Sequence, residues 1–374
     1  MSTFVEKVMG AKAGTVVTIN PDYVVINDGV SAAAVKEIKA VAVPDKVLVI
    51  YDHDVPTGRP EAAAILRQNL MFADKYGCKY IQAEGIGYQY MLNTVVKPGQ
   101  IIIGGGSHSS IFGAKGALGL DVSIPELARC VETGRYSCIV PETIYVSLEG
   151  VMAEGIGAMD VALTLLQKNL QQTAGKAIEI YAPGLDNYQQ AILCSMVCKN
   201  WAVTAAISKD KPTSCSTLDL STVQAMVMLP CAERNEQSRA KIVPLTEVKG
   251  TKVQAGQIGG YTCGTIETLR KAAAMIKGKK IALGFRLTIC PATSKDYIAA
   301  LEEGIITDFI DYGAQISAAG DHSVVVQGAG AMGHGEKLLT TGLYTFKGAM
   351  GCEDVEIYSA SMESVVAASQ TKQI

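Results

Sequence analysis

Two short apolar runs constrain this chain more than any other feature. Val47 to Ile50 in "KVLVIYDHDVPT" and Ile101 to Ile103 in "GQIIIGGGSHSS" carry no polar residue, and each is followed closely by turn-forming or charged ones. A β-branched run without alternation reads as a strand buried on both faces, which requires helices on either side of a mostly parallel sheet. Helical periodicity follows in "RPEAAAILRQNLMFADKYG", with Gly77 placed to cap its C-terminus. The expectation is an α/β chain with strand-to-turn junctions at "VVTINPDYVVINDGV", "KYIQAEGIGYQ" and "GQIIIGGGSHSS".

Further along, "GAMDVALTLLQKN", "AIEIYA" and "DNYQQAILCSMVCKNWAVTAA" read as helix, strand and helix, and the polar "SKDKPTSCSTLDLSTVQ" reads as a linker. A last α/β stretch runs from "KIVPLTEVKG" through the helix "IETLRKAAAMIKG", the strand "KKIALGFRLTIC", the helix "SKDYIAALEEG" and the strand "ITDFIDYGAQI". There is no tandem repeat and no low-complexity tract.

Length and charge narrow the function classes. A chain of 374 residues has room for two or three domains. With 48% hydrophobic and 18% charged residues, much of it must be interior or interface, so assembly with other subunits is expected. A net charge of -3 gives no electrostatic footprint for nucleic acid or an anionic membrane. The N-terminus lacks a secretory pattern and no apolar run approaches the ~20 residues of a span, so the expected location is the cytoplasm. Ten cysteines without a small-domain framework then read as reduced thiols. Cys194 and Cys198 have C-x-x-x-C spacing, which on an apolar helix stacks both thiols on one buried face.

The glycine turn at Gly104 to Gly106 does not read as a nucleotide loop, because this stretch has neither G-x-x-x-x-G-K-[ST] nor a clean G-x-G-x-x-G opening a helix: Gly104, Gly106 and Gly113 have the wrong spacing. It presents a histidine instead. Ligands of parallel sheets sit beyond the carboxyl ends of the strands. Five such ends here carry reactive side chains: Asp52 with His53, Tyr88, Ser107 with His108, Cys263, and Asp321 with His322. Three of the four histidines fall in this set, while His334 in "GAMGHGEK" reads as a loop residue. The alternative is that glycine turns simply collect polar residues.

These stretches resemble, in order, the large subunits of the aconitase superfamily, above all the archaeal-type 3-isopropylmalate dehydratases and homoaconitases. "FVEKVMGAKAG" is similar to that family's N-terminal helix, "YDHDVPT" to its DH motif, "GIGYQ" to G-I-x-H-Q, and "KPGQIIIGGGSHSSIFGAKGALG" to P-G-x-x-x-x-G-x-D-S-H-T. "VPETIYVSLEG" is similar to a stretch that follows, "GYTCGT" to the S-C-T-N cluster cysteine, and "ICPAT" to V-P-G-S. The likeness runs from near residue 4 to the end, with a shortened middle. It implies three three-layer α/β domains of mostly parallel sheet around a central cleft, at 1–145, 146–243 and 244–374, with the family's swivel domain absent. It further implies a hydro-lyase that removes and re-adds water, with a 4Fe-4S cluster as Lewis acid and an Asp/His pair supplying a proton.

Departures from the pattern modify each of these expectations. The family's second and third cluster cysteines correspond to Asp321 and Val324, so Cys263 alone remains and no 4Fe-4S cluster is expected. Tyr88 replaces the histidine of G-I-x-H-Q, and Gly106 the aspartate of D-S-H. In "LYTFKGAMG", Tyr344 and Ala349 stand where the family has carboxylate-binding arginines, which argues against a di- or tricarboxylate substrate. The retained Asp52 and His53 suit a general acid for a departing hydroxyl. Ser107, His108, Tyr88 and Cys263 complete the candidate catalytic set; Ser109, Thr293, Tyr344 and Lys347 are candidate contacts for a small-molecule substrate. Asp321 and His322, with His53, His108 or Cys263, are candidates to hold one divalent metal ion. A separate small swivel-type subunit would supply the base; without one, Tyr88 and Cys263 are the candidates, and a homo-oligomer is the other assembly. The competing reading is a non-catalytic homologue that binds a small ligand or a partner subunit.

Overall fold

The computed structural model describes residues 2–169, 173–197, 202–234, 240–322, 324, 328 and 330–374. Its frame is three parallel or largely parallel sheets in sequence order. The first has the strand order Lys79–Ile81, Val47–Ile50, Tyr23–Asn27, Ile101–Gly104 and Leu118–Asp121, all parallel. Every residue of Val47–Ile50 and Ile101–Gly104 is buried, as expected of strands covered on both faces. The helix Pro60–Tyr76 begins with proline in its first turn and ends at Gly77, whose φ of 72° is the left-handed conformation of a glycine cap. A small antiparallel pair, Val16–Ile19 with Tyr136–Ile139, lies outside this sheet.

The second sheet is parallel, in the order Thr204–Ser208, Ala177–Tyr181, Thr143–Glu149 and Ser216–Asp219. Two details differ from the sequence reading. The helix expected over "DNYQQAILCSMVCKNWAVTAA" is Asn187–Met196, and the end of that stretch enters the strand Thr204–Ser208. The polar stretch read as a linker contains Ser216–Asp219, an edge strand with one buried residue, Leu218, whose exposed face explains its polar composition. Cys198 lies outside the described residues, so its stacking on Cys194 is not described.

The third sheet has seven strands, ordered Ile242–Pro244, Met226–Met228, Glu356–Ala360, Lys337–Thr340, Ala255–Ile258, Arg286–Ile289 and Gln315–Ile316. Its last five strands pair in parallel, and Met226–Met228 is antiparallel to both neighbours. "ITDFIDYGAQI", read as a strand, is the helix Ile305–Tyr312 followed by the two-residue strand Gln315–Ile316. Its β-branched and aromatic composition suggested a strand. The buried set Ile305, Ile306, Phe309 and Tyr312 has helical spacing, and Gly313 in the left-handed region ends the helix. Among the described residues no helix is long and apolar enough to cross a membrane.

Contacts between regions bring the strand ends together. Ile86 donates its backbone N–H to Ala292 at 2.8 Å, joining the first region to the third, and Asp321 donates its own to the carbonyl of Asp52 at 2.8 Å. Ser110 Oγ donates to the carbonyl of Cys194 at 2.7 Å, joining the first region to the second.

Candidate active site

Asp52 and His53 follow Val47–Ile50, and the neighbouring parallel strand Tyr23–Asn27 delivers Asp28 beside them. Asp28 organises the turn. Its carboxylate accepts the backbone N–H of Asp52 at 2.8 Å, of His53 at 3.0 Å and of Asp54 at 3.1 Å. Asp52 is 1% exposed and accepts from Gly87 N at 2.8 Å with Oδ2, while its Oδ1 lies 2.6 Å from His53 Nδ1. The same imidazole nitrogen is 3.5 Å from Asp28 Oδ1, and Nε2 is 3.8 Å from Asp321 Oδ2. His53 keeps 19% of its side chain exposed, so it is wired from behind and open in front.

Gly29 makes this arrangement possible. A Cβ at that position would meet the imidazole at 2.7 to 3.0 Å, so the ring lies directly on the glycine backbone. The φ of −81° is ordinary, which makes close approach, not backbone conformation, the reason for glycine here.

Burial alone would lower the pKa of His53, but Asp52 and Asp28 outweigh it and raise the pKa well above the ordinary value. Burial raises Asp52 to about 6, against the pull of the imidazolium. Asp28 is buried too, yet His53 and the backbone N–H groups hold its carboxyl well below the usual range. At neutral pH His53 is therefore an imidazolium held between carboxylates.

His108 has the opposite electrostatic surroundings. It lies 4% exposed, stacked on Tyr261 with ring centroids 4.0 Å apart and planes 13° from parallel. Nδ1 is 3.3 Å from the Ser195 carbonyl and 3.2 Å from Ser195 Oγ. A nitrogen facing a carbonyl must donate, so Nδ1 carries the proton and Nε2 the lone pair. Burial lowers its pKa to about 4, against the attraction of Asp321. Tyr344 meets this ring edge-on and hydrogen-bonds Ser107, while Tyr88 packs edge-on against Phe112 and near Tyr261. Burial holds the Tyr88 phenol well above its ordinary pKa.

The other expected site residues are engaged elsewhere. Ser109 is fully buried and donates to Asp121 through Oγ at 2.7 Å and through its backbone N–H at 3.0 Å. Thr293 is the N-cap of the helix Ser294–Glu302, in a reciprocal capping box with Asp296. Lys347 is exposed. His322 turns Nε2 onto the carbonyl of Ala318 at 3.1 Å, and burial lowers its pKa. Cys263 is 3% exposed; burial first, then Glu363, pushes its thiol up to about 12. Asp28 and Gly29 escaped the sequence reading. The visible signal was the turn "INDGV" ending a strand, and its significance depends on which strand lies alongside.

Among the described residues, two groups of three side chains bring metal-binding atoms within 4.8 Å of one another: Asp28, Asp52 and His53, and separately His334, Cys352 and Asp354. Asp321, His322 and Cys263 belong to neither. In the first group the oxygens already accept backbone N–H groups and the imidazole. Among the described residues Cys263 belongs to no group of three metal-binding side chains within 4.8 Å, so the donors around it do not form a three-thiolate cradle.

Comparison with known proteins places this geometry in a wider set. The model of the aconitase family (aconitate hydratase) matches residues 3–214 and 203–371. The chain is 28% identical to the methanogen homoaconitase large subunit of Methanocaldococcus jannaschii, covering 96% of each chain. It is 29% identical to the 3-isopropylmalate dehydratase large subunit of Pyrococcus horikoshii, covering 96% of this chain and 94% of the relative. The crystal structure of Thermococcus kodakaraensis aconitase X (holo-form) superposes with a TM-score of 0.59 at 11% identity, covering 98% of this chain and 96% of that one, which is a likeness of fold. With the family model spanning nearly the whole sequence over an α/β frame of parallel sheets, this chain belongs to the aconitase family.

Proposed function

We propose that this chain is a hydro-lyase for a small hydroxy acid or related compound, with His53 as general acid and without a 4Fe-4S cluster. The observation that carries the reading is the His53 imidazole, with Nδ1 2.6 Å from Asp52 and 3.5 Å from Asp28 and a partly open ring at the end of a parallel sheet. In dehydration the substrate C–O bond breaks as the Nε2 proton moves to the departing hydroxyl, which leaves as water. The electron pair of the neighbouring C–H bond becomes the new C=C as a base removes that proton. His108, neutral with its proton on Nδ1, offers a hydrogen-bond acceptor. Tyr88 and Cys263 are held protonated by burial and are poorly suited as the base. We assign the base to a separate small subunit in a cytoplasmic assembly, a reading supported by relatives named as large subunits.

Cluster-free chemistry is supported by the resemblance, which puts Asp321 and Val324 where the family has two of its three cluster cysteines. Asp28 and Asp52 spend their oxygens on N–H donors, which favours an acid at His53 over a divalent ion. The test incubates the protein, alone and with a co-expressed small subunit, with a panel of 2- and 3-hydroxy acids while enoate absorbance is followed. His53→Ala should lower the rate by about 10²–10⁴-fold. Activity that survives His53→Ala removes the acid assignment, and about four irons per chain overturns the cluster-free reading. If no substrate turns over in either form while ligands still bind, the non-catalytic reading takes its place.

A further inference from the structure

On the third region, remote in sequence from the Asp/His centre, two turns meet back to back. One carries His334 between Gly333 and Gly335; the other carries Cys352 and Asp354. They are fixed to each other by their backbones: Cys352 N–H donates to the Met332 carbonyl at 3.1 Å, and Met332 bridges Gly351. A Cβ on Gly351 would meet the Met332 nitrogen at 2.4 Å, and φ is +93°, so glycine is required for the approach. Three chemically different donors are held here, an imidazole nitrogen, a thiol sulfur and a carboxylate oxygen, all within 4.8 Å of one another. His334 Nδ1 is 3.0 Å from Asp354 Oδ1, and Gly335 N–H fixes the other oxygen, Oδ2, at 3.0 Å.

We infer that His334, Cys352 and Asp354 form a binding site for a borderline divalent ion of the zinc class. Mixed nitrogen, sulfur and oxygen donors suit such an ion, whereas magnesium and calcium take oxygen alone. Three such donors with one further ligand make up the four-coordinate set that zinc takes. His334 is 84% exposed at its side chain and Asp354 54%, so a fourth position is open to water or another ligand. The Gly335 N–H on Asp354 is the kind of outer contact that orients a metal-binding carboxylate. On binding, Cys352 gives up its thiol proton to solvent and the imidazole coordinates in its neutral form. The bound ion would staple two turns that flank Tyr344 to Met350, the segment that brings Tyr344 to His108.

Cobalt(II), a spectroscopic substitute for zinc, tests this directly. The metal-free protein should bind one equivalent with intense tetrahedral d–d bands and a near-ultraviolet thiolate-to-cobalt charge-transfer band, which added zinc abolishes. Cys352→Ser should lose the charge-transfer band, and His334→Ala should weaken zinc binding by about 100-fold or more. Both variants should melt like the parent without metal, because the site is at the surface. The inference is overturned if the parent shows no saturable thiolate band, or if the band survives in Cys352→Ser, since the sulfur would then be another cysteine. Unchanged zinc affinity in His334→Ala overturns it equally.

Discussion

His53 and His108 both stand where a strand of the first sheet gives way to a turn, yet the fold drives their protonation in opposite directions. His53 sits among carboxylates and is held charged; His108 sits on an aromatic ring beside a carbonyl and is held neutral, with its pKa lowered to about 4. Burial opposes the charged form of both. Two nearby aspartates outweigh that cost at His53, whereas at His108 the more distant Asp321 does not. Position at a strand end therefore selects where a histidine is displayed, and the adjacent strand selects its charge.

The most damaging way to break the contrast is Asp28→Ala. It leaves the backbone N–H groups of residues 52 to 54 without their acceptor and removes one of the carboxylates that surround His53. A loss of about 3–5 kcal/mol in chemical denaturation is expected. In an NMR titration the His53 pKa should fall back toward its ordinary value. If His53 titrates unchanged in the folded variant, Asp28 does not set its charge.

Acidification should separate the two histidines next. The His108 pKa is depressed in the folded state, so the unfolded chain binds the extra proton. Its contribution to stability is present above about pH 6.5 and is lost as pH falls through about 4, amounting to about 3 kcal/mol. The His53 pKa is raised, so its contribution is complete below pH 6.5 and is lost as pH rises through the folded value. His108→Gln should flatten the acid limb of the stability curve and leave the alkaline limb intact. An unaltered acid limb would show that His108 is not the group being protonated.

Gly29→Ala tests the geometry without touching a charge. The new methyl must displace the imidazole from contacts of 2.7 to 3.0 Å, at about 1–3 kcal/mol of overpacking. Turnover should fall by about 100-fold because Nε2 is moved off its line. The His108 titration should stay where it is in this variant, and a shift there would mean that the two histidines are coupled through the packing.

The same contrast explains what could be read from the linear sequence. Val47 to Ile50 and Ile101 to Ile103 announced parallel, doubly covered strands because burial on both faces leaves no polar alternation, and the residues after them were identifiable as displayed. Asp28 was not legible as a partner of His53, since its role arises from register: Asn27 lies opposite Ile50, so the two following turns come side by side. His322 looked like a ligand next to Asp321, but its ring turns back onto its own loop at Ala318. "ITDFIDYGAQI" misled because four buried β-branched and aromatic residues satisfy strand composition while their spacing is that of a helix.

The smallest expected effect separates display from packing at Thr293, whose motif position suggested a substrate contact. Its hydroxyl accepts from Asp296 N–H at 3.2 Å, and its own N–H is taken by Asp296 Oδ2 at 3.1 Å, so both groups are committed to the start of the helix Ser294–Glu302. Thr293→Ala should cost about 1 kcal/mol as a lost N-cap, while Thr293→Ser should restore it. KM for whichever hydroxy acid turns over should be unchanged in both, because this buried hydroxyl gives its one proton to Asp296 Oδ2 and has none to donate to a ligand. A rise in KM for Thr293→Ala that serine rescues would instead put this helix start among the substrate contacts, beside His53 and His108.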